Sequence, residues 1–197
     1  MKKVRFWVIR HGEKDGDADK LSEKGVEQVQ KTARHLLKGM TFQAAFYSGM
    51  NRAKETVEIV LEELDQQCEL QINEGFGFAW AEKEQPVTPE FRQLYKAVTA
   101  GEKVTVAQCL SSWPGAQLIR SRLFDTMLGL ARTLANRFPA EEEIDILVGS
   151  HGPAGELAAV KPEKTMALGL GSIICYVVEY NEQTGEIKLA HSVRLPG

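Results

Sequence analysis

Two histidines, two arginines and a carboxylate stand where runs of apolar residues end. Arg10 and His11 follow KVRFWVI at 3–9, inside Arg10-His11-Gly12-Glu13. Ser48 and Arg52 follow QAAFY at 43–47, and Glu74 follows CELQI at 68–72. His151 follows IDILVG at 144–149, inside Gly149-Ser150-His151-Gly152. If those runs are strands of one parallel sheet, all five residues meet at the edge where ligands of open α/β sheets bind. The chemistry open to such a set is phosphoryl transfer through a histidine. A neutral imidazole is a good nucleophile, and flanking guanidiniums lower its pKa by like-charge repulsion while binding phosphate oxygens in pairs. A second, protonated histidine stabilises charge on the equatorial oxygens, and a carboxylic acid protonates the leaving oxygen and then deprotonates water. No metal is required, because the cations already present neutralise the phosphate.

The elements that must position these residues are readable from pattern. Residues 3–9 are β-branched and aromatic, a buried strand. A polar loop follows, and Ser22 caps a helix that stops near Gly39. Strand 43–47, helix 50–66 and strand 68–72 continue the alternation, which predicts a mostly parallel sheet covered by helices. Residues 73–115 interrupt it with a helix near 89–100 and a loop SSWPG at 111–115, read as an insertion or lid over the active site. A helix over 117–138 leads to strand 144–149. SIICYVVEY and EIKLAHSV, joined by the turn NEQTG, predict a C-terminal antiparallel hairpin. The expected fold is a three-layer α/β/α sandwich, one domain over 1–197.

The bulk numbers bound the function classes. The chain has 197 residues, 43% hydrophobic and 26% charged, with a net charge of −3, which gives no support for a nucleic-acid or membrane-surface binder. Cys68, Cys109 and Cys175 are odd in number and widely spaced, so reduced structural thiols are expected rather than disulfides or a thiolate zinc site. The N-terminal apolar run is too short for a signal peptide, and no stretch approaches a membrane span. The expected location is the cytoplasm.

The same segments resemble the histidine phosphatase superfamily, the phosphoglycerate-mutase-like proteins with an Arg-His-Gly signature. VIRHGE matches the first strand and its signature, and LSEKG at 21–25 matches the start of the first helix. YSGMNRAKETVEIV at 47–60 matches the arginine-bearing segment, and GSHG at 149–152 the second histidine. The resemblance implies that His11 is the phosphorylated nucleophile and that Arg10 and Arg52 clamp the phosphoryl group. It implies that His151 completes the phosphate pocket and that the Gly152 backbone approaches the phosphate. Glu74 is the implied proton donor, with Glu82 and Glu84 as alternatives, because the segment after Glu74 is one residue short of the family's pattern. Ser22 is either near the pocket or only a helix cap. The implied activity is a metal-independent phosphatase with no cofactor, acting on a small phosphorylated substrate.

Other readings stand beside it. The first is a phosphoglycerate-type mutase, and a phosphohistidine or phosphoprotein phosphatase is close to it. A catalytically degenerate phosphate-binding regulator is a third. A metal-dependent hydrolase using His11 and His151 lacks a matching set of further ligands. Arg92, Arg120 and Arg122 are either substrate contacts or solvated helix arginines. His35 and His191 look structural, and Trp7 looks like core. Only about twenty residues separate His151 from the next strand, so the helix that the resemblance implies there is short or absent. That either opens a wall of the pocket or exposes a surface for a homodimer.

Overall fold

In the computed structural model, which describes residues 1–100, 102–152, 154–158, 165–166 and 169–195, the site is hung on the first strand. β1 (Lys2–Arg10) alternates its side chains between two faces, as strands do. Val4, Phe6 and Val8 point toward one helical layer together with Ile144, Ile146 and Val148. Ile9 and Leu147 point the other way, into a second layer.

The first layer is α6 (Pro114–Arg137), which lays Leu123, Met127, Ala131 and Leu134 on the sheet. The second is α1 (Glu23–Leu36) and α2 (Asn51–Glu63), which contribute Val29, Ala33, Val57 and Val60. Between them the sheet also contains β2 (Ala44–Tyr47), β3 (Leu70–Ile72), β5 (Glu143–Ser150), β7 (Ile173–Tyr180) and β8 (Ile187–Leu195), in the order β3-β2-β5-β1-β7-β8. Strands β3, β2, β5 and β1 are parallel, and β7 and β8 are antiparallel to their neighbours. The predicted three-layer sandwich with a C-terminal hairpin is the observed one.

Register decides what emerges at the sheet edge. Arg10 pairs with Ser150, and Tyr47 pairs with both Gly149 and Ile72. The next residues along each strand, His11, Ser48, Asn73 and His151, therefore leave the sheet side by side. Backbone bonds from His11 N–H to the Ser150 carbonyl (3.1 Å) and from Ser48 N–H to the Gly149 carbonyl (3.1 Å) lock the three strand ends together.

The interruption between β3 and α6 holds α3 (Ala79–Glu84), α4 (Pro89–Thr99), β4 (Val104–Thr105) and α5 (Val106–Ser112). β4 pairs with β6 (Thr165–Met166), and α7 (Ala154–Leu157) follows His151. This part has its own core, in which Phe91, Val106, Cys109 and Trp113 pack against Ile119 of α6 and Leu157 of α7. The indole N–H of Trp113 donates to the Gln85 carbonyl at 3.1 Å. Truncating such a buried indole costs about 3–5 kcal/mol.

Two expectations change. The loop expected at 111–115 is a single junction residue, Trp113, because Pro114 starts α6 three residues earlier than read. Proline suits a helix's first turn, where its missing N–H has no partner to lose. Trp7 is half-buried rather than core, and its N–H donates to Asp145 Oδ1 at 2.7 Å. The stretch after His151 carries a short helix, as expected, the four-residue α7; the rest of that stretch, 159–164 and 167–168, where a dimer surface was expected, lies outside the described residues. Among the described residues no helix is long and apolar enough to cross a membrane.

Candidate active site

His11 leaves β1 with its ring almost fixed. Nδ1 lies 2.7 Å from the Gly12 carbonyl, an acceptor only, so Nδ1 carries the proton and donates it there. Nε2 is left with its lone pair, and Arg52 donates Nε–H to it at 3.1 Å. The turn that makes this possible depends on two glycines. A Cβ on Gly12 would lie 2.3 Å from the Gly25 carbonyl oxygen, and one on Gly25 would lie 2.1 Å from that of Glu13. The loop after β1 and the first turn of α1 are in backbone contact, which accounts physically for glycine in both Arg10-His11-Gly12 and LSEKG. His11 is 8% exposed. Its pKa is lowered to about 4, first by burial and then by Arg52 and Arg10, against the raising effects of the Gly12 bond and Asp19. The expected depression is present, but desolvation rather than guanidinium repulsion leads it.

Arg52 stands in the first turn of α2, and its second contact was not anticipated. Asp19 Oδ1 lies 2.6 Å from Arg52 Nη1, while Asp19 Oδ2 accepts the Asn51 backbone N–H at 2.9 Å. Burial works against the charge on Asp19, but the Asn51 and Arg52 N–H groups and the Arg52 guanidinium outweigh it and hold the carboxyl below its usual range. Asp19 holds Nη1 of the arginine whose Nε faces His11, so the negative charge of a phosphoryl group on His11 would repel this carboxylate. Asp19→Asn is therefore expected to tighten binding of inorganic phosphate about three- to tenfold by calorimetry, the modest size reflecting a half-exposed pair. Unchanged or weaker binding would mean that Asp19 serves only to orient Arg52.

His151 faces the nucleophile from β5. The two rings lie 5.1 Å apart, edge to face, and His151 Nε2 is 2.6 Å from Ser48 Oγ. Nδ1 of His151 is buried and has no hydrogen-bond partner among the described residues, an uncommon state that marks a site more than a packed core. Its pKa is lowered to about 3, first by burial and then by the charges of His11 and Arg52. Burial thus favours the neutral form of His151 in the unliganded pocket. Only the charge of a bound phosphate would draw a proton onto it.

These two histidines have a consequence for stability. Both have folded-state values below the ordinary 6.5. As pH falls below about 6.5 the unfolded chain takes up protons that the folded chain refuses until about pH 4 or lower, so stability falls across that window. The slope is up to about 1.4 kcal/mol per pH unit for each histidine. Urea midpoints followed from pH 7 to about pH 4.5 should fall less steeply in His151→Asn than in wild type. Equal slopes would contradict a buried neutral histidine.

Glu74 sits in a single 3-10 turn, Glu74–Phe76, just after β3. Asn73 caps that turn by accepting the Gly75 N–H at 3.0 Å, and Ser150 Oγ, next to His151, donates to the Phe76 carbonyl at 2.6 Å. Glu74 thereby lines a small cavity of about 170 Å³ with Ser48, Trp80 and His151. Glu82 instead lines a larger neighbouring cavity, and Glu84 is exposed on α3.

The remaining candidates separate. Arg10 lies over Gly152, where a Cβ would come within 3.1 Å of its guanidinium carbon, so any larger residue at 152 would press on the arginine. Ser22 caps α1, its hydroxyl accepting the Gly25 N–H at 3.1 Å and donating to the Glu13 carbonyl at 3.3 Å, and it lines a surface hollow with Glu13 and Lys24. Arg120 donates to the Leu157 carbonyl at 2.9 Å, and Arg122 covers the Trp80 ring at 4.4 Å, whereas Arg92 lines the larger cavity. Among the described residues no three or more His, Cys, Asp or Glu side chains converge as a metal site.

Known proteins resemble this chain in sequence and in fold. A profile of the histidine phosphatase superfamily (branch 1) matches residues 6–189. An adenosylcobalamin/alpha-ribazole phosphatase from Escherichia coli K12 is 34% identical over 90 residues, 39% of this chain and 43% of that protein. The chain is thus matched to less than half the length of that relative. Among solved structures, a phosphoglycerate mutase from Bacillus anthracis superposes with a TM-score of 0.60 at 19% identity, covering 96% of this chain and 92% of that one. A mycobacterial glucosyl-3-phosphoglycerate phosphatase gives 0.57 at 16% identity, covering 95% and 97%. At these identities the superpositions speak to fold.

Proposed function

For this chain, which belongs to the histidine phosphatase superfamily, we propose a metal-independent phosphatase that hydrolyses phosphomonoesters through a phosphohistidine on His11. The family includes phosphatases and mutases. The observation that carries the histidine-based reading is the tautomer of His11, with Nδ1 tied to the Gly12 carbonyl and Nε2 presented to Arg52.

The steps follow from that geometry. Nε2 of neutral His11 attacks phosphorus while the ester P–O bond breaks. Glu74 gives its proton to the departing oxygen. The imidazole, bonded to phosphorus and protonated at Nδ1, keeps its bond to Gly12. Arg52 and Arg10 hold the phosphoryl oxygens, and His151 takes on positive charge as the dianion arrives. Water then loses a proton to Glu74 and attacks phosphorus, the P–N bond breaks, and neutral His11 is restored with inorganic phosphate as product. The match to a phosphatase at 34% identity over 90 residues supports hydrolysis rather than internal transfer.

The test is turnover of p-nitrophenyl phosphate in the presence of a chelator, with inhibition by vanadate. Activity that disappears with the chelator and returns with a divalent metal contradicts a metal-independent mechanism. A single stoichiometric burst without further turnover would make the protein a phosphate-binding regulator.

A further inference from the structure

The phosphate pocket opens past Phe78 into the insertion. Phe78 stands edge-on to the His151 ring at 5.7 Å and lines both the small cavity that holds Glu74 and a second cavity of about 600 Å³. Gly152, the residue after His151, also lines the second cavity. The smaller space adjoins His151, whose ring lies 5.1 Å from that of His11. The larger is in the range that takes a drug-sized molecule, so it is available to the rest of the substrate.

Its walls specify what they can hold. Phe91 lies parallel to Tyr95 with rings 6.4 Å apart, and Trp113 packs on Phe91 at 4.8 Å. The polar atoms of these rings are already engaged. The Trp113 N–H donates to the Gln85 carbonyl, and the Tyr95 hydroxyl donates to the Gly152 carbonyl at 3.4 Å. The walls thus offer ring faces and edges but few free hydrogen-bonding groups. A sugar or polyol would lose its water there without replacement, whereas a flat ring gains offset and edge contacts. The charged side chains, Glu82, Arg92 and Lys96, are at the rim, two cations to one anion.

We infer that the substrates are phosphate monoesters whose leaving group carries a flat aromatic or heteroaromatic ring, seated between Phe78, Val87 and Tyr95 while the phosphate lies on His11. The inference rests on the phosphatase reading for its anchor point. The ring's outer edge meets Arg92 and Lys96, so an acidic substituent on it is preferred to a basic one.

Binding of non-hydrolysable phosphonates separates this inference from the turnover question. By calorimetry, 3-phenylpropylphosphonate should bind about ten- to a hundredfold tighter than propylphosphonate, the gain expected from burying one ring. A carboxylate on the ring should tighten binding further, less so at high salt. Val87→Trp, which fills the cavity, should abolish the advantage of the ring, and Tyr95→Ala should reduce it if the tryptophan variant does not fold. Equal affinity of the two phosphonates in wild type overturns the inference. So does an octylphosphonate that binds as tightly as the ring compound, since that would show a merely greasy slot. If the ring advantage is found but p-nitrophenyl phosphate is not turned over, the phosphatase reading falls and the ring subsite stands. If turnover is found without a ring advantage, the phosphatase reading stands and the ring subsite falls.

Discussion

His11→Ala is expected to lower turnover of p-nitrophenyl phosphate by at least about 10⁴-fold, on the scale seen when an enzyme's covalent nucleophile is removed. Nothing else in the pocket can replace it. The neighbouring histidine has its Nε2 against Ser48 Oγ at 2.6 Å, and its ring is centred 5.1 Å from that of His11. Loss of the imidazole leaves Arg10, Arg52 and His151, which can still bind an anion and orient water, so a small residual rate is expected. Vanadate or phosphate should therefore still bind the variant, which separates loss of the nucleophile from loss of fold. A variant that retains more than a few per cent of wild-type turnover would place the nucleophile elsewhere.

The second large effect belongs to Glu74. Glu74→Gln is expected to slow alkyl phosphates by about 10²–10³-fold, the scale of general acid catalysis, and p-nitrophenyl phosphate by about tenfold or less. The difference arises because an alkoxide must be protonated as it leaves, whereas p-nitrophenolate departs without help. Glu74 rather than Glu82 is the choice because the turn holding Glu74 is bonded to Ser150, beside His151, and both Glu74 and His151 line the small cavity. Glu82→Gln should leave the alkyl-to-aryl ratio unchanged. The reverse pattern, with Glu82 governing the ratio, would move the proton donor into the larger cavity.

Much of this site was legible because each strand announces its end. Apolar runs terminate at Arg10, Tyr47 and Ser150, and the parallel register then brings His11, Ser48 and His151 together whatever the intervening loops do. What was not legible depends on chain paths that no local pattern encodes. Asp19 lies in a polar loop among other acids and lysines, and only the fold carries it back to α2. A hint existed: the residue before α2 is Met50, which cannot cap a helix with its side chain, so the Asn51 N–H needs an acceptor from elsewhere. Lys2 is only 5% exposed, its ammonium on the Ala135, Phe138 and Pro139 carbonyls at the end of α6, a partnership that no local pattern announces. The protonation state of His151 also eluded sequence, because charge counting weighs neighbours but not burial, and burial is the larger effect here. Pro114 misled in the ordinary way, read as a loop residue when it opens a helix.

The central claim is a covalent bond between phosphorus and Nε2 of His11. Rapid acid-free quenching of the enzyme during turnover, followed by peptide mapping and phosphorus NMR, reads it directly. The expected result is one acid-labile, base-stable phosphoryl group on the peptide containing His11, attached at Nε2 and absent from His11→Ala. It should accumulate in Glu74→Gln with p-nitrophenyl phosphate, where loss of the base slows hydrolysis of the intermediate. A phosphoryl group on His151 or another residue, or none at any time while product is being formed, would contradict it.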